Sequence, residues 1–364
     1  MQDSIYRVSR TVSGLSAYVP GEQPQGGGWV KLNTNEFPYP PSPAVRDAVM
    51  RELGPDCASL RLYPAPLSDG LRAAVGGYYG VPAENVVCGN GSDDILNLVM
   101  RAFGDASLHV AAMNPSYSLY PVLSKMQGAR LEEFDFEDGL SLPFEKIFES
   151  GANVFILTNP NAPLGVAFGE DELEKIARNF RGLFVIDEAY APFSGRTSAG
   201  LAMRHRNVLS IGTSSKGWAL AGMRVGWAVG DAAIIDVLNR VRDSYNVDRL
   251  AQAAGIAALG DRSYYSRQIA RVVATRARVQ EFFEKIGWNF VPSSSNFIFV
   301  RPVKRGMSPA EAAADFFAHL KSERILVRFW PDDPKIRDGL RVTVGAEEEM
   351  EKFMESAMRW KSKE

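Results

Sequence analysis

Between residues 44 and 250 the chain alternates short apolar runs with stretches of helical periodicity, and this alternation limits the fold more than any other feature. The runs cover 86–88, 109–112, 154–158, 183–187, 208–212 and 225–229. Strands joined through helices pair in parallel, because each crossover carries the chain back over one face of the sheet. The pattern therefore predicts an α/β fold with a large domain built on a mostly parallel sheet flanked by helices. Ligands of such sheets bind at the carboxyl ends of the strands, so the residues just after each run are where chemistry is expected.

The flanking segments read differently. Residues 1–43 carry Gly26, Gly27 and Gly28, then Pro38, Pro40, Pro41 and Pro43, which suits an extended arm that reaches another domain or a partner subunit. Ser42 and Pro43 read as an N-cap and a first helical residue, with Val45, Val49 and Leu53 following at helical spacing. The large domain is accordingly expected over 44–250. From 251 to 364 the pattern predicts a long helix over 262–286, strands over 296–300, 325–329 and 340–344, a helix opened by the capping box Ser308 to Glu311, and a last helix from 347 to 360. That is a smaller α+β C-terminal domain.

Several function classes drop out on composition and motif. The 41 basic and 43 acidic residues leave a net charge of −2, so no general surplus attracts nucleic acid or an anionic membrane. No segment approaches the ~20 apolar residues of a membrane helix, and MQDSIYRVSR lacks a signal-peptide core, so a cytoplasmic protein is expected. Cys57 and Cys88 offer no disulfide framework or zinc spacing, and His109, His205 and His319 lie far apart, so no metal is expected. Neither H-E-x-x-H, G-x-S-x-G nor G-x-x-x-x-G-K-[ST] occurs.

The residues after the runs have an unusual chemistry. Thr213 to Arg224 bring together hydroxyls, Lys216, glycines and a guanidinium. A lysine amine forms a Schiff base with an aldehyde, while hydroxyls and arginine take phosphate oxygens, which together suit a phosphorylated aldehyde cofactor. A lone lysine after a strand is more often a solvated one. Asp187 ends an apolar run, and a desolvated carboxylate demands a cation such as a pyridinium nitrogen. A helix-capping aspartate would read the same way. Gly89-Asn90-Gly91-Ser92-Asp93 opens a helix whose amino end can cradle phosphate, though a tight turn with an N-cap explains its glycines equally well. Tyr117 could lie on a cofactor face or in the core, Asn161 could donate to a phenolic oxygen or brace a proline turn, and Arg328 and Arg341 could grip a substrate anion or pair at the surface.

In order and spacing these motifs, together with Lys31 to Glu36, Arg61 to Pro64, Asp187-Glu188-Ala189-Tyr190, Ser295-Asn296-Phe297 and Leu340 to Gly345, resemble the fold-type I pyridoxal-phosphate aminotransferases. Within them the chain is similar, nearly end to end, to the histidinol-phosphate aminotransferases. The resemblance implies that Lys216 carries the cofactor and moves the substrate proton, and that Asp187 and Tyr190 contact the ring nitrogen and phenolic oxygen. It implies that Tyr117 stacks on the ring, and that Gly91, Ser92, Asp93, Ser215 and Arg224 surround the phosphate. Tyr63 would reach the phosphate of a neighbouring subunit, which makes a homodimer with shared sites the expected assembly. Tyr18, Asn35, Arg328 and Arg341 would contact the amino-acid or phosphate substrate. The sequence departs from the family pattern at Ala162, where an asparagine usually meets the phenolic oxygen, at Leu164, usually threonine, and at Phe37, usually asparagine. Asn161 is the nearest amide left for the first role. Aromatic amino-acid aminotransferases and threonine-phosphate decarboxylases share nearly all these motifs, and a non-enzymatic regulator binding the same cofactor is the competing class.

Overall fold

The computed structural model describes residues 7–15 and 21–362. Its strands, in chain order, are β1 (Val30–Leu32), β2 (Val86–Gly89), β3 (His109–Asn114), β4 (Arg130–Asp135), β5 (Val154–Thr158), β6 (Leu183–Asp187), β7 (Val208–Thr213), β8 (Gly226–Gly230), β9 (Asn289–Val291), β10 (Phe297–Arg301), β11 (Ile325–Phe329) and β12 (Leu340–Thr343). They form a seven-stranded sheet ordered β2-β8-β7-β6-β5-β3-β4 and a five-stranded sheet ordered β1-β11-β12-β10-β9. In the larger sheet only β8 runs against its neighbours.

The central strands are apolar throughout because both faces are covered. Val154 and Ile156 of β5 pack in one cluster with Ile95, Val99 and Leu123, from the helices Ser92–Phe103 and Leu119–Gln127. Phe155 and Leu157, pointing the other way, pack with Leu173 and Ile176 of the helix Glu170–Asn179. The edge strand β4 carries Arg130, Glu132 and Glu133, charges that suit an edge exposed to water and that hide the strand from a search for apolar runs.

One expected boundary is displaced. Helix Arg249–Gly260 places Ala251, Ala254, Ala258 and Leu259 in the cluster that holds Leu71, Val75 and Val225, so it packs with the large sheet and not with the small domain expected from 251. Within the arm expected over 1–43, β1 pairs in parallel with β11 and joins the small sheet. The small domain is centred on aromatic packing, with Trp288 against Phe316 and Trp360 at 4.9 and 5.6 Å between ring centroids. Its capping box forms as expected, Ser308 Oγ accepting from the Glu311 N–H and Glu311 Oε2 from the Ser308 N–H.

One close approach aligns the sheet with the turn that follows β2. A Cβ on Gly226 would lie 2.3 Å from the Gly91 carbonyl carbon and 2.4 Å from the Ser92 nitrogen, both backbone atoms with nowhere to go. Gly226→Ala is therefore expected to destabilise the protein by about 2–3 kcal/mol, as overpacking of a rigid site does. A denaturant midpoint unchanged from wild type would contradict this.

Candidate active site

A cavity of about 530 Å³ opens where the carboxyl ends of the large sheet face β11, β12 and the segment 33–35. That is the size of a small-molecule site.

Its anion-binding end follows from β2. Gly91 caps the helix Ser92–Phe103 at φ 90°, a conformation that favours glycine, and the absence of a side chain lets the Arg224 guanidinium lie where a Cβ would come within 2.5 Å of Nη2. The unpaired N–H groups of the first helical turn face the same place. Arg224 Nη1 donates to Ser215 Oγ at 3.3 Å, and Nη2 to Asp93 Oδ2 at 3.4 Å. Tyr117 donates its hydroxyl to Asp93 Oδ1 at 3.1 Å. Thr213 in turn donates to Ser215 Oγ and caps the short helix that carries Lys216.

Asp187 ends β6 with its carboxylate buried. Oδ2 accepts from the Tyr120 hydroxyl at 2.8 Å, and Oδ1 from the Ala189 N–H at 3.2 Å. Among the described residues it makes no ion pair. Burial pushes its carboxyl up to about 6, against the pull of the Tyr120 and Ala189 hydrogen bonds. A buried acceptor of this kind, lining a cavity and lacking a cation, fits the N–H of a protonated pyridine ring. Its neighbour Glu188 is buried too, but is satisfied by Ser198 N–H, Thr197 and Ser210 and braces the fold instead.

Across the cavity the half-buried Lys216 donates to the Thr34 carbonyl at 3.0 Å. Burial, reinforced by the positive charge of Arg341, lowers its amine to about 8. Tyr190 accepts at its hydroxyl from Asn35 Nδ2 at 2.9 Å, and Asn35 is held by Thr343 and Asn296. Arg328 and Arg341 are register partners on β11 and β12. Side by side on neighbouring strands, the two guanidinium groups give this end of the cavity a positive lining that suits an anionic group. Both guanidinium groups lie over the Trp330 ring, at 5.2 and 5.3 Å.

The cavity thus brings together Ser92, Asp93, Tyr117, Asp187, Tyr190, Ser215, Lys216, Arg224, Asn35, Arg328 and Arg341, with Gly91 behind Arg224. It does not bring in Asn161, which is fully buried. The Asn161 amide donates to the Pro115 carbonyl and accepts from the Leu164 N–H, so the side chain braces its own loop, and Ala162 and Pro163 line the cavity there. Leu164 packs with Phe299 and Ile336, and Phe37 lies 6.1 Å from Phe193, and neither lines the cavity. Tyr63 lies outside it, 78% exposed and stacked on Tyr245 at 4.5 Å. Tyr18 falls outside the described residues. Sequence reasoning passed over Tyr120, Thr158, Thr34 and Trp330, which also line the cavity. Tyr120 carried one signal, its place three residues after Tyr117 at the start of the helix Leu119–Gln127.

Comparison with known proteins gives a consistent picture. Residues 27–356 match the family described as aminotransferase class I and II. The histidinol-phosphate aminotransferase of Geotalea uraniireducens (strain Rf4) is 40% identical over 349 residues, covering 95% of this chain and 97% of that one. That of Geobacter sulfurreducens is 41% identical over 342 residues, covering 93% and 95%. Among solved structures, the histidinol-phosphate aminotransferase of Sinorhizobium meliloti in complex with pyridoxal-5'-phosphate superposes with a TM-score of 0.87 at 22% identity, covering 99% of this chain and all of that one.

Proposed function

The chain belongs to the class I and II aminotransferase family, and from that premise we propose that it transfers an amino group reversibly between glutamate and imidazole-acetol phosphate, forming histidinol phosphate in histidine biosynthesis. The architecture is that of the fold-type I enzymes. The observation that carries the reading is one cavity holding a lowered lysine amine, a buried carboxylate without a cation, and two opposed arginines.

Pyridoxal phosphate, when bound, supplies an aldehyde that condenses with primary amines and a ring that draws electrons from the substrate Cα. Arg224, Ser215, Ser92 and the amino end of the helix Ser92–Phe103 would hold its phosphate, Asp187 its ring nitrogen and Tyr190 its phenolic oxygen, and Tyr117 would flank the ring. Lys216 Nζ offers an amine near 8, close enough to neutrality to accept the proton from the substrate Cα and return it. Asn35 orients the Tyr190 hydroxyl, and Arg328 and Arg341 anchor the substrate's carboxylate or phosphate, so one site accepts both partners of a ping-pong reaction.

We further assign the working unit as a homodimer in the cytoplasm, where Cys57 and Cys88 stay reduced. The exposed Met50, Leu60, Leu62, Leu67 and Ile256, beside Tyr63, form an apolar surface suited to a second copy. A dimer would let Tyr63 reach its partner's phosphate site. The test of the substrate is a turnover panel of histidinol phosphate, phenylalanine and threonine phosphate, each with 2-oxoglutarate as acceptor. Histidinol phosphate is expected to lead by at least about tenfold in kcat/KM, a difference of about 1.4 kcal/mol. A lead for phenylalanine, or release of carbon dioxide from threonine phosphate, would replace this substrate with that one.

A further inference from the structure

Asp187 is tied to a chain of hydroxyls that leads back to the cavity. Tyr120, 1% exposed, donates its one hydroxyl proton to Asp187 Oδ2. Its contact of 2.6 Å with Thr158 Oγ1 must then run the other way, Thr158 donating to Tyr120. Thr158 Oγ1 is left as the acceptor of its 3.1 Å contact with Ser116 Oγ, so Ser116 donates to Thr158. All the hydrogens point toward the carboxylate, and each donor is strengthened by the one behind it. The sheet sets this up: Thr158 of β5 is the register partner of Asp187 of β6, while Tyr120 descends onto both from the helix Leu119–Gln127.

We propose that Tyr120 is a positioning residue whose hydroxyl, backed by Thr158 and Ser116, keeps Asp187 ionised and leaves Oδ1 for the cofactor's ring nitrogen. The assignment rests on the reading of Asp187 given above. Of the other groups facing Asp187, the Ala189 N–H assists by donating to Oδ1, Asp93, from the helix Ser92–Phe103, pushes the carboxyl up, and β7 presents the uncharged Ile211 as register partner. Tyr117 acts on Tyr120 through space, and burial holds the Tyr120 hydroxyl protonated far above its usual range, so it remains a donor throughout. The Tyr120 hydrogen bond is the strongest of the interactions that lower the Asp187 carboxyl.

Without the hydroxyl, the folded carboxyl rises beyond about 6, so folded Asp187 takes up a proton at a pH where the unfolded chain has lost it, and stability goes on falling as pH increases past 6. The experiment compares Tyr120→Phe with wild type, each with and without Asp187→Asn, as full-length protein freed of cofactor. Denaturant midpoints are read between pH 5 and 8. The expected result is a fall in the Tyr120→Phe midpoint between pH 6 and 7.5 that wild type lacks, and that vanishes in the Asp187→Asn background. In the cofactor-loaded enzyme the acidic limb of kcat/KM should move up by about one pH unit, a roughly fivefold loss at the pH where wild type is half active, with activity recovered above it.

A midpoint lowered equally at every pH would make Tyr120 a packing residue and overturn the proposal. So would a pH dependence identical to wild type. Thr158→Val removes only the donor behind Tyr120 and preserves the ring's packing, and it should move both readouts in the same direction by less. If the apoprotein follows expectation and the loaded enzyme's acidic limb stays put, the hydroxyl chain stands and the role of Asp187 at the ring nitrogen falls.

Discussion

In a Lys216→Ala protein, turnover is expected to fall by a factor of a thousand or more, about 4 kcal/mol of transition-state stabilisation. Two tasks end together with the amine: covalent hold on an aldehyde and movement of a proton at the substrate Cα. The environment explains why no neighbour substitutes. Burial and Arg341 bring the amine to about 8 from its ordinary 10.5, which leaves roughly three hundred times more of it neutral at pH 7 than an ordinary lysine would have. No other lysine among the described residues lines the cavity. Lys216→Arg, which keeps the charge and loses the nucleophile, should be as inactive as the alanine variant. Both proteins should still take up pyridoxal phosphate, through Arg224, Ser215 and the helix amino end, yet release it on dialysis without the visible absorbance that covalent uptake brings. Near-normal turnover in either variant would remove Lys216 from the mechanism.

Asp187→Asn is expected to separate activity from stability. Activity should fall about a hundredfold to a thousandfold, because a neutral amide no longer favours a protonated ring nitrogen. The apoprotein should become more stable. Burial holds the Asp187 carboxyl near 6 against an ordinary 3.8, so on raising the pH from 4 to 6 the unfolded chain ionises first and stability drains away. The cost at neutral pH is about 3 kcal/mol, and asparagine, of the same shape and still able to accept from Tyr120, avoids it while giving up the longer 3.2 Å contact with the Ala189 N–H. The expected record is therefore a variant more stable than wild type at pH 7 and equal to it at pH 4, in the absence of cofactor. Addition of pyridoxal phosphate should narrow the gap at pH 7, since the bound ring gives the wild-type carboxylate its cation. A variant less stable than wild type at pH 7 would mean that Asp187 finds its compensation within the chain.

This trade explains an otherwise costly arrangement. A buried carboxylate that makes no ion pair among the described residues weakens the protein by itself, and the ring nitrogen of the expected cofactor relieves it. Much of that was readable in advance. Asp187, Lys216 and Gly91 stood out by position alone, since each lies at or just after the carboxyl end of a strand, where such sheets bind ligands; a capping aspartate, a solvated lysine or a tight turn would read the same way one at a time. Asn161 was misleading for a local reason. Position in a loop says which residues are near a site, but not which way a side chain turns, and its amide is spent on Pro115 and Leu164.

What the linear order of residues determined was every feature encoded within a few neighbours: the buried strands by their unbroken apolar runs, the helix starts by Ser42 and Ser308, and the carboxyl-end positions of Asp187 and Lys216. Tertiary structure decided the rest. It set the reversed β8, the pairing of β1 with β11, the charged edge strand β4, Arg328 opposite Arg341, and Tyr120 donating to Asp187 from 67 positions away. Such contacts depend on strand order, register and the rotation of a helix about its axis. These are settled by the burial of whole faces at once, and a one-residue slip of a strand would turn every one of its side chains to the opposite side.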